Sequence, residues 1–211
     1  MDLNFDELIE LMEEVADEQI EKASQISFSN IVDLACDMDR NIYIGLILSG
    51  VGKDVDQRIR FWNVYDEAQG IPVEEREPIK IYIDSPGGDL IETFTMIDSI
   101  SMSKTPVWTI CTGAAYSGGF FTFIAGHKRF AYPLASFLYH EGATGTSADA
   151  GKFRNFAAFY EKQLKLLKKV VLKYTTIDED TYEKHIKDDW WFTAEEALEY
   201  GICDEISKEL I

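Results

Sequence analysis

Ile79-Lys-Ile-Tyr-Ile-Asp-Ser-Pro-Gly-Gly88 is an apolar, β-branched run that ends on a turn. Its isoleucines, unbroken but for Lys80 and Tyr82, read as a strand buried in a sheet. Ser85-Pro-Gly-Gly88 turns the chain, and Asp89 to about Ser103 reads as a helix with Ile91, Phe94, Ile97 and Ile100 or Met102 inward. Pro106 stops that helix, because proline cannot continue it. Val107 to Cys111 is the next strand, Gly113 to Gly119 a turn of small residues, and Phe120 to Ala125 a second buried helix. Strand, glycine turn and helix therefore occur twice in succession. This order predicts an α/β fold with parallel strands joined by crossover helices.

The flanks extend the pattern. Asn41 to Leu48 is strand-like and Gly50-Val-Gly52 breaks it; residues 54–69 are helical, with Val55, Ile59 and Trp62 on one side. Arg129 to Ala131 and Ser136 to Tyr139 are short strands. Residues 149–174 carry Phe153, Phe156, Tyr160, Leu164, Leu167 and Val171 at helical spacing, which predicts a long amphipathic helix. A short helix follows over 178–187, and another over Thr193 to Tyr200, where Thr193 and Glu196 have capping-box spacing. Gly201 stops it and Ile202 to Ile206 is a final strand.

Composition excludes several functions. Among 211 residues, 20 basic and 38 acidic side chains leave a net charge of −18, which opposes binding to nucleic acid or to an anionic membrane. The apolar share of 46% suits a packed core rather than disorder. Three separated cysteines, Cys36, Cys111 and Cys203, form neither a disulfide framework nor a metal motif, and fit a reducing compartment. The absence of a membrane-length apolar run or a basic leader predicts a cytoplasmic protein. Residues 1–24 hold nine carboxylates against Lys22, with Phe5, Leu8, Met12 and Val15 spaced as an amphipathic helix. This segment is expected to be an acidic extension to a domain spanning 25–211: a solvated face, or a docking or gating element for a basic partner.

The two glycine turns are the candidate chemistry. A strand that turns into a helix leaves backbone N–H groups free to hold an anion or a developing oxyanion. Neither turn fits a dinucleotide or phosphate-loop motif, and no cofactor or metal is expected. Ser117 follows an apolar strand and precedes Gly118-Gly119, so its hydroxyl faces whatever occupies the turn. A nucleophilic serine needs a base, and the chain has only three histidines. His127, in Gly126-His-Lys-Arg129, reads as a surface turn, and His185 as a surface partner of Asp189 four residues on. His140 ends the strand Phe137-Leu-Tyr-His140, where it is either a satisfied structural histidine or a catalytic base. Ala115 stands two residues before the serine, so the GxSxG elbow is absent.

Four segments in order resemble the ClpP serine peptidases: Ile79 to Gly88, Thr109-Ile-Cys-Thr-Gly-Ala-Ala-Tyr-Ser-Gly-Gly119, Lys128-Arg-Phe with Tyr139-His140, and Asp189-Trp-Trp-Phe-Thr-Ala-Glu-Glu-Ala. The resemblance covers roughly residues 40–206. It implies the ClpP/crotonase fold, a spiral of ββα units with a protruding long handle helix. It implies Ser117 as nucleophile, His140 as general base and Asp189 as orienting acid, with Asp188 the alternative. The Gly88 and Gly118 amides would form the oxyanion hole. It implies hydrolysis of peptides or unfolded proteins in a chamber built of heptameric rings, stacked as a tetradecamer and fed by an AAA+ unfoldase. Residues 1–24 stand where the family has its axial pore loops, a departure that bears on the unfoldase partnership. Two others are Glu141-Gly142, where the family has Gln-Pro, and Gly118, where it has a bulkier residue.

Three alternatives stand beside this reading. A catalytically silent scaffold subunit of a mixed ring would lack activity alone. A crotonase-like acyl-CoA enzyme would need basic residues for the CoA phosphates, and none cluster near the turns. A phage-type head-maturation or signal-peptide-degrading relative is the third; in the latter a lysine usually replaces the histidine.

Overall fold

A computed structural model describes residues 38–211. The acidic segment 1–24 and Cys36 lie outside them. Seven strands form one sheet: β1 (Asn41–Ile44), β2 (Ile79–Ser85), β3 (Val107–Tyr116), β4 (Lys128–Ala131), β5 (Ser136–Tyr139), β6 (Trp190–Thr193) and β7 (Glu205–Ile206). The helices are α1 (Val51–Ala68), α2 (Leu90–Met102), α3 (Gly118–Ile124), α4 (Ala150–Tyr174), α5 (Glu179–His185) and α6 (Ala194–Glu199). Strands β1, β2, β3, β4 and β7 are neighbours in that order, all parallel.

The sheet branches at β3. Its first half, Trp108 to Cys111, pairs with β4, and its last residues, Ala114 to Tyr116, pair with β5. Strand β6 then adds antiparallel to β5. The expected turn from Gly113 to Tyr116 is therefore strand, and Trp190 to Thr193, which the periodicity did not single out, is another. Small residues make the first change possible. Ala114 N–H donates to Asp84 Oδ1 at 3.0 Å, and a Cβ on Gly113 would lie 2.7 Å from that same oxygen.

Burial follows the alternation of β2. Ile79, Ile81 and Ile83 enter the main core beneath α2 and α3, with Met96, Ile100, Phe120 and Phe123. Tyr82 points to the other face and packs with Ile110 and Phe130. The helices start as their sequences direct. Asp89 caps α2 through the amides of Ile91 and Glu92, Asp149 caps α4, and Thr193 with Glu196 closes the expected capping box on α6. Helix α4 buries only Gln163, Leu167 and Val171, all in its C-terminal half. Its first three turns stand away from the core, as the protruding handle was expected to. No described helix is long and apolar enough to cross a membrane.

Candidate active site

The chain brings its two glycine turns into contact. Ile47 N–H donates to Gly87 O at 2.9 Å and Asp89 N–H to Ile47 O at 2.8 Å, so the first turn is pinned along residue 47. In that ladder the intervening Gly88 N–H is unused and faces away. A Cβ on Gly87 would lie 2.7 Å from Ser117 Cβ and 2.9 Å from Gly118 N, so the turns meet at van der Waals distance through a glycine surface. A Cβ on Gly118 would lie 2.5 Å from Thr93 Oγ1 and 3.5 Å from Gly88 N. Among the described residues, no backbone carbonyl takes up the N–H of Gly88 or of Gly118. Two neighbouring unused amides are what an oxyanion needs.

Ser117 joins β3 to α3 with φ 52° and ψ −120°. Among the described non-glycine residues, only Arg40 shares a positive φ. Such a backbone costs about 1–3 kcal/mol and persists only where its surroundings enforce it. They do so here: Ser117 N–H donates to Leu138 O at 2.9 Å, extending the β3–β5 ladder, while Ser117 O accepts the first helical bond from Phe121 N at 3.2 Å. The strained turn lifts the hydroxyl out of the sheet and into a cavity of about 490 Å³, also lined by Gly88, Gly118, Thr93 and His140.

The register of β5 and β6 places the other two groups. Ser136 pairs with Thr193 and Tyr139 with Trp190, so the next pair outward is His140 with Asp189. His140 Nδ1 lies 3.8 Å from Asp189 Oδ1; the imidazole is 30% exposed and the carboxylate 64%. That contact is an ion-pair approach rather than a closed hydrogen bond. Asp188 is held in the turn after α5 by its N–H to His185 O at 3.0 Å, and makes no ion pair with His140 among the described residues. The Ser117 hydroxyl and His140 line one cavity without hydrogen-bonding each other.

Of the remaining histidines, one departs from its expected role. His185 ends α5 and stacks on Trp190 at 4.1 Å, so it is not paired with Asp189, which lies beyond the helix and approaches His140 instead. His127 is exposed in the turn before β4, as expected, and its Nδ1 also accepts the Val107 N–H at 2.9 Å. Cys111 and Cys203 are buried free thiols, pushed by burial up to about 12 and about 11. Among the described residues no group of three or more His, Cys, Asp or Glu could hold a metal ion.

Sequence reasoning missed one wall of the cavity. Phe156, Phe159, Tyr160, Gln163 and Leu167, at helical spacing on α4, face the glycine turns across it, and Glu141 follows His140 along its edge. The apolar stripe of α4 is legible in the sequence, but the polar Gln163 inside it carries no periodic signal.

An α/β sheet that branches around a strained serine turn, with paired glycine amides and a histidine on one cavity, defines a hydrolase-like class of fold. Comparison with known proteins narrows the class. The family model described as Clp protease matches residues 72–209, a stretch that holds all five expected site residues. The ATP-dependent Clp protease proteolytic subunit 2 of Treponema denticola is 35% identical over 134 residues, which span 63% of this chain and 67% of that protein. The chain belongs to the Clp protease family, and its activity class is that of a peptidase.

Proposed function

We propose that the protein is a serine endopeptidase that cleaves peptides or unfolded proteins with Ser117 as nucleophile, His140 as general base and Asp189 as the acid that orients it. His140 takes the Ser117 proton through Nε2 while Ser117 Oγ adds to the scissile carbonyl. The oxyanion forms between the Gly88 and Gly118 amides, each such donor lowering the barrier by about 3 kcal/mol. His140 then returns the proton to the leaving amine, and water releases the acyl group by the same path. Asp189 accepts from Nδ1–H and fixes the tautomer; its position favours it over Asp188. Catalysis requires Ser117 Oγ and His140 Nε2 to come within about 2.6–3.2 Å in the substrate complex.

The observation that carries this reading is the left-handed Ser117 between two unused glycine amides, because strain of that kind persists where function selects it. An extended substrate would add its backbone beside the first glycine turn. The family resemblance extends the proposal to a sealed chamber of two stacked heptameric rings served by an AAA+ unfoldase.

The deciding experiment is Ser117→Ala. Peptide hydrolysis falls to background, fluorophosphonate labelling is lost and the native mass is unchanged. Wild-type turnover in that variant would refute the assignment. A wild-type chain that neither labels with fluorophosphonate nor cleaves a short peptide would instead favour the scaffold reading.

A further inference from the structure

Helix α4 is charged against the trend of the chain. It holds seven of the 20 basic residues within Ala150–Tyr174, against one acid, Glu161. Among the described helices it alone has a basic excess. Three of the seven have local partners. Lys152 meets Asp149 at 3.3 Å, Lys168 joins Glu179 and Glu183, and Lys173 donates to Tyr174 Oη at 2.9 Å. Arg154, Lys162, Lys165 and Lys169 are exposed and form no ion pair among the described residues.

Their spacing gathers these four on one line. At about 100° per residue they fall within about 80° of arc, opposite the buried Gln163, Leu167 and Val171. Lys162, Lys165 and Lys169 also stand three and four residues apart, where like charges destabilise a helix. A second α4 laid along this line would bring the same lysines and add to the repulsion. An anionic cover removes it. The chain carries one beyond the described residues, because residues 1–24 hold nine carboxylates against Lys22. Residues 25–37 lead from that segment to the first described residue, and these thirteen span about 43–47 Å when extended. A compact domain of this size has a radius of gyration of about 16 Å, so the segment can reach around it. A tether of that length holds the two charged regions at about millimolar effective concentration, so weak ion pairs acting together suffice.

We propose that residues 1–24 dock on the outer face of α4 in the same chain, their carboxylates pairing with Arg154, Lys162, Lys165 and Lys169. The other described helices are acidic or uncharged and offer the segment no comparable seat. The contact is exposed and electrostatic, so it weakens with salt, as the screening length falls from about 10 Å at 0.1 M to about 3 Å at 1 M. It stands independently of the role given to Ser117.

The test is zero-length carbodiimide coupling of the full chain, which joins a lysine amine to a carboxylate only where the two touch, with the links mapped by mass spectrometry. At low salt, links should join Lys162, Lys165 or Lys169 to carboxylates of residues 1–24, and 1 M salt should cut their yield about tenfold or more. The double variant Lys162→Glu with Lys169→Glu keeps Lys165 as a reporter, and its links to the segment should fall by a similar factor. A glutamate-specific protease reads the same contact without coupling, and should cut within residues 1–24 about tenfold faster in that variant. Reversing the segment instead, with Glu10→Lys and Glu14→Lys, leaves the described domain untouched and should lose the same links. Combining the two sets should restore links between the regions. Links from residues 1–24 to another element, links that join isotopically distinct copies in a mixed sample, or no links at all overturn the docking. Links that survive both 1 M salt and charge reversal overturn its electrostatic basis.

Discussion

Gly88 carries two constraints that no other residue type meets. Its φ of 151° is one L side chains rarely adopt, and a Cβ there would lie 2.0 Å from Ile47 O. That oxygen is not free to move, because it accepts the Asp89 N–H. Gly88→Ala must therefore displace the turn and its amide together. Peptide kcat should fall by about 10²–10³, the effect of losing one oxyanion donor, with KM little changed. Steady-state kinetics on a short peptide settle it; a kcat near wild type would remove Gly88 from the oxyanion hole. A second constraint at this scale lies outside the cavity. Arg40, itself buried, donates to both oxygens of fully buried Asp66 at 2.9 and 2.7 Å and lies 4.4 Å over the Trp62 ring. Burial pushes the Asp66 carboxyl up, but the bonds from Arg40 and Thr105 outweigh it and hold it below its ordinary range. A carboxyl lowered on folding adds stability above its unfolded value, near 3.9, that disappears as pH falls through the folded one. Asp66→Ala strands the buried guanidinium and should cost about 3–5 kcal/mol in urea unfolding at neutral pH. A loss under 1 kcal/mol would show that Arg40 finds water or another partner.

At the scale of elements, the branch of the sheet decides the geometry of the site. Strand β3 is long enough to pair with β4 through its first half and β5 through its last residues, and only the second pairing brings Ser117 beside the end of β5. The β5–β6 pair then carries His140 and Asp189 outward as neighbours. Its support lies behind it, where the buried Tyr139 and Tyr182 hydroxyls bond each other and tie β5 to α5. Tyr182→Phe leaves the Tyr139 hydroxyl buried without that partner, and burial already raises its pKa far above the ordinary range. The expected loss is about 1–3 kcal/mol of stability, with a larger fractional fall in kcat than in expression as the β5 end loosens. Thermal unfolding and peptide kinetics on one preparation would expose the error if neither moves. These elements also mark what could be read from the chain. Strands β2 and β5 and helices α1, α2 and α4 declare themselves because their apolar periods are long and bounded by Gly, Pro or a cap. Ser117 and the glycine turns are legible because small residues after an apolar strand have few other uses. Asp189 is not, since its place depends on a register with β5, far earlier in the chain. Strand β6 stayed hidden because Trp190-Trp-Phe-Thr193 has no alternation, and β3 appeared short because Gly113-Ala-Ala resembles a turn until Asp84 is seen to hold it.

For the whole molecule, the question is what covers the handle. Phe153 and Leu166 on α4 are each 50% exposed, although another side of the same helix lines the cavity. Large apolar side chains left half open along a helix that stands away from its own core are suited to a partner surface. In the proposed stacked rings the partner would be the equivalent helix of a second ring, and the assembly would be about fourteen times the 24.0 kDa chain. Covering such a side chain contributes about 1 kcal/mol per copy, and symmetry repeats that gain in every protomer. The same repetition makes the interface sensitive to one change, because a charge placed there is buried many times over. Leu166→Glu, remote from Ser117 in sequence and on the exposed side of α4, should split the double ring. Native mass spectrometry should then read about half the wild-type mass, with the thermal midpoint of the separated rings within a few degrees of wild type. Hydrolysis of short peptides should fall with the mass if α4 needs its partner to hold the cavity wall in place, since Phe156, Tyr160 and Gln163 belong to that same helix. An unchanged mass in both Leu166→Glu and Phe153→Glu would mean that the copies meet along some other surface.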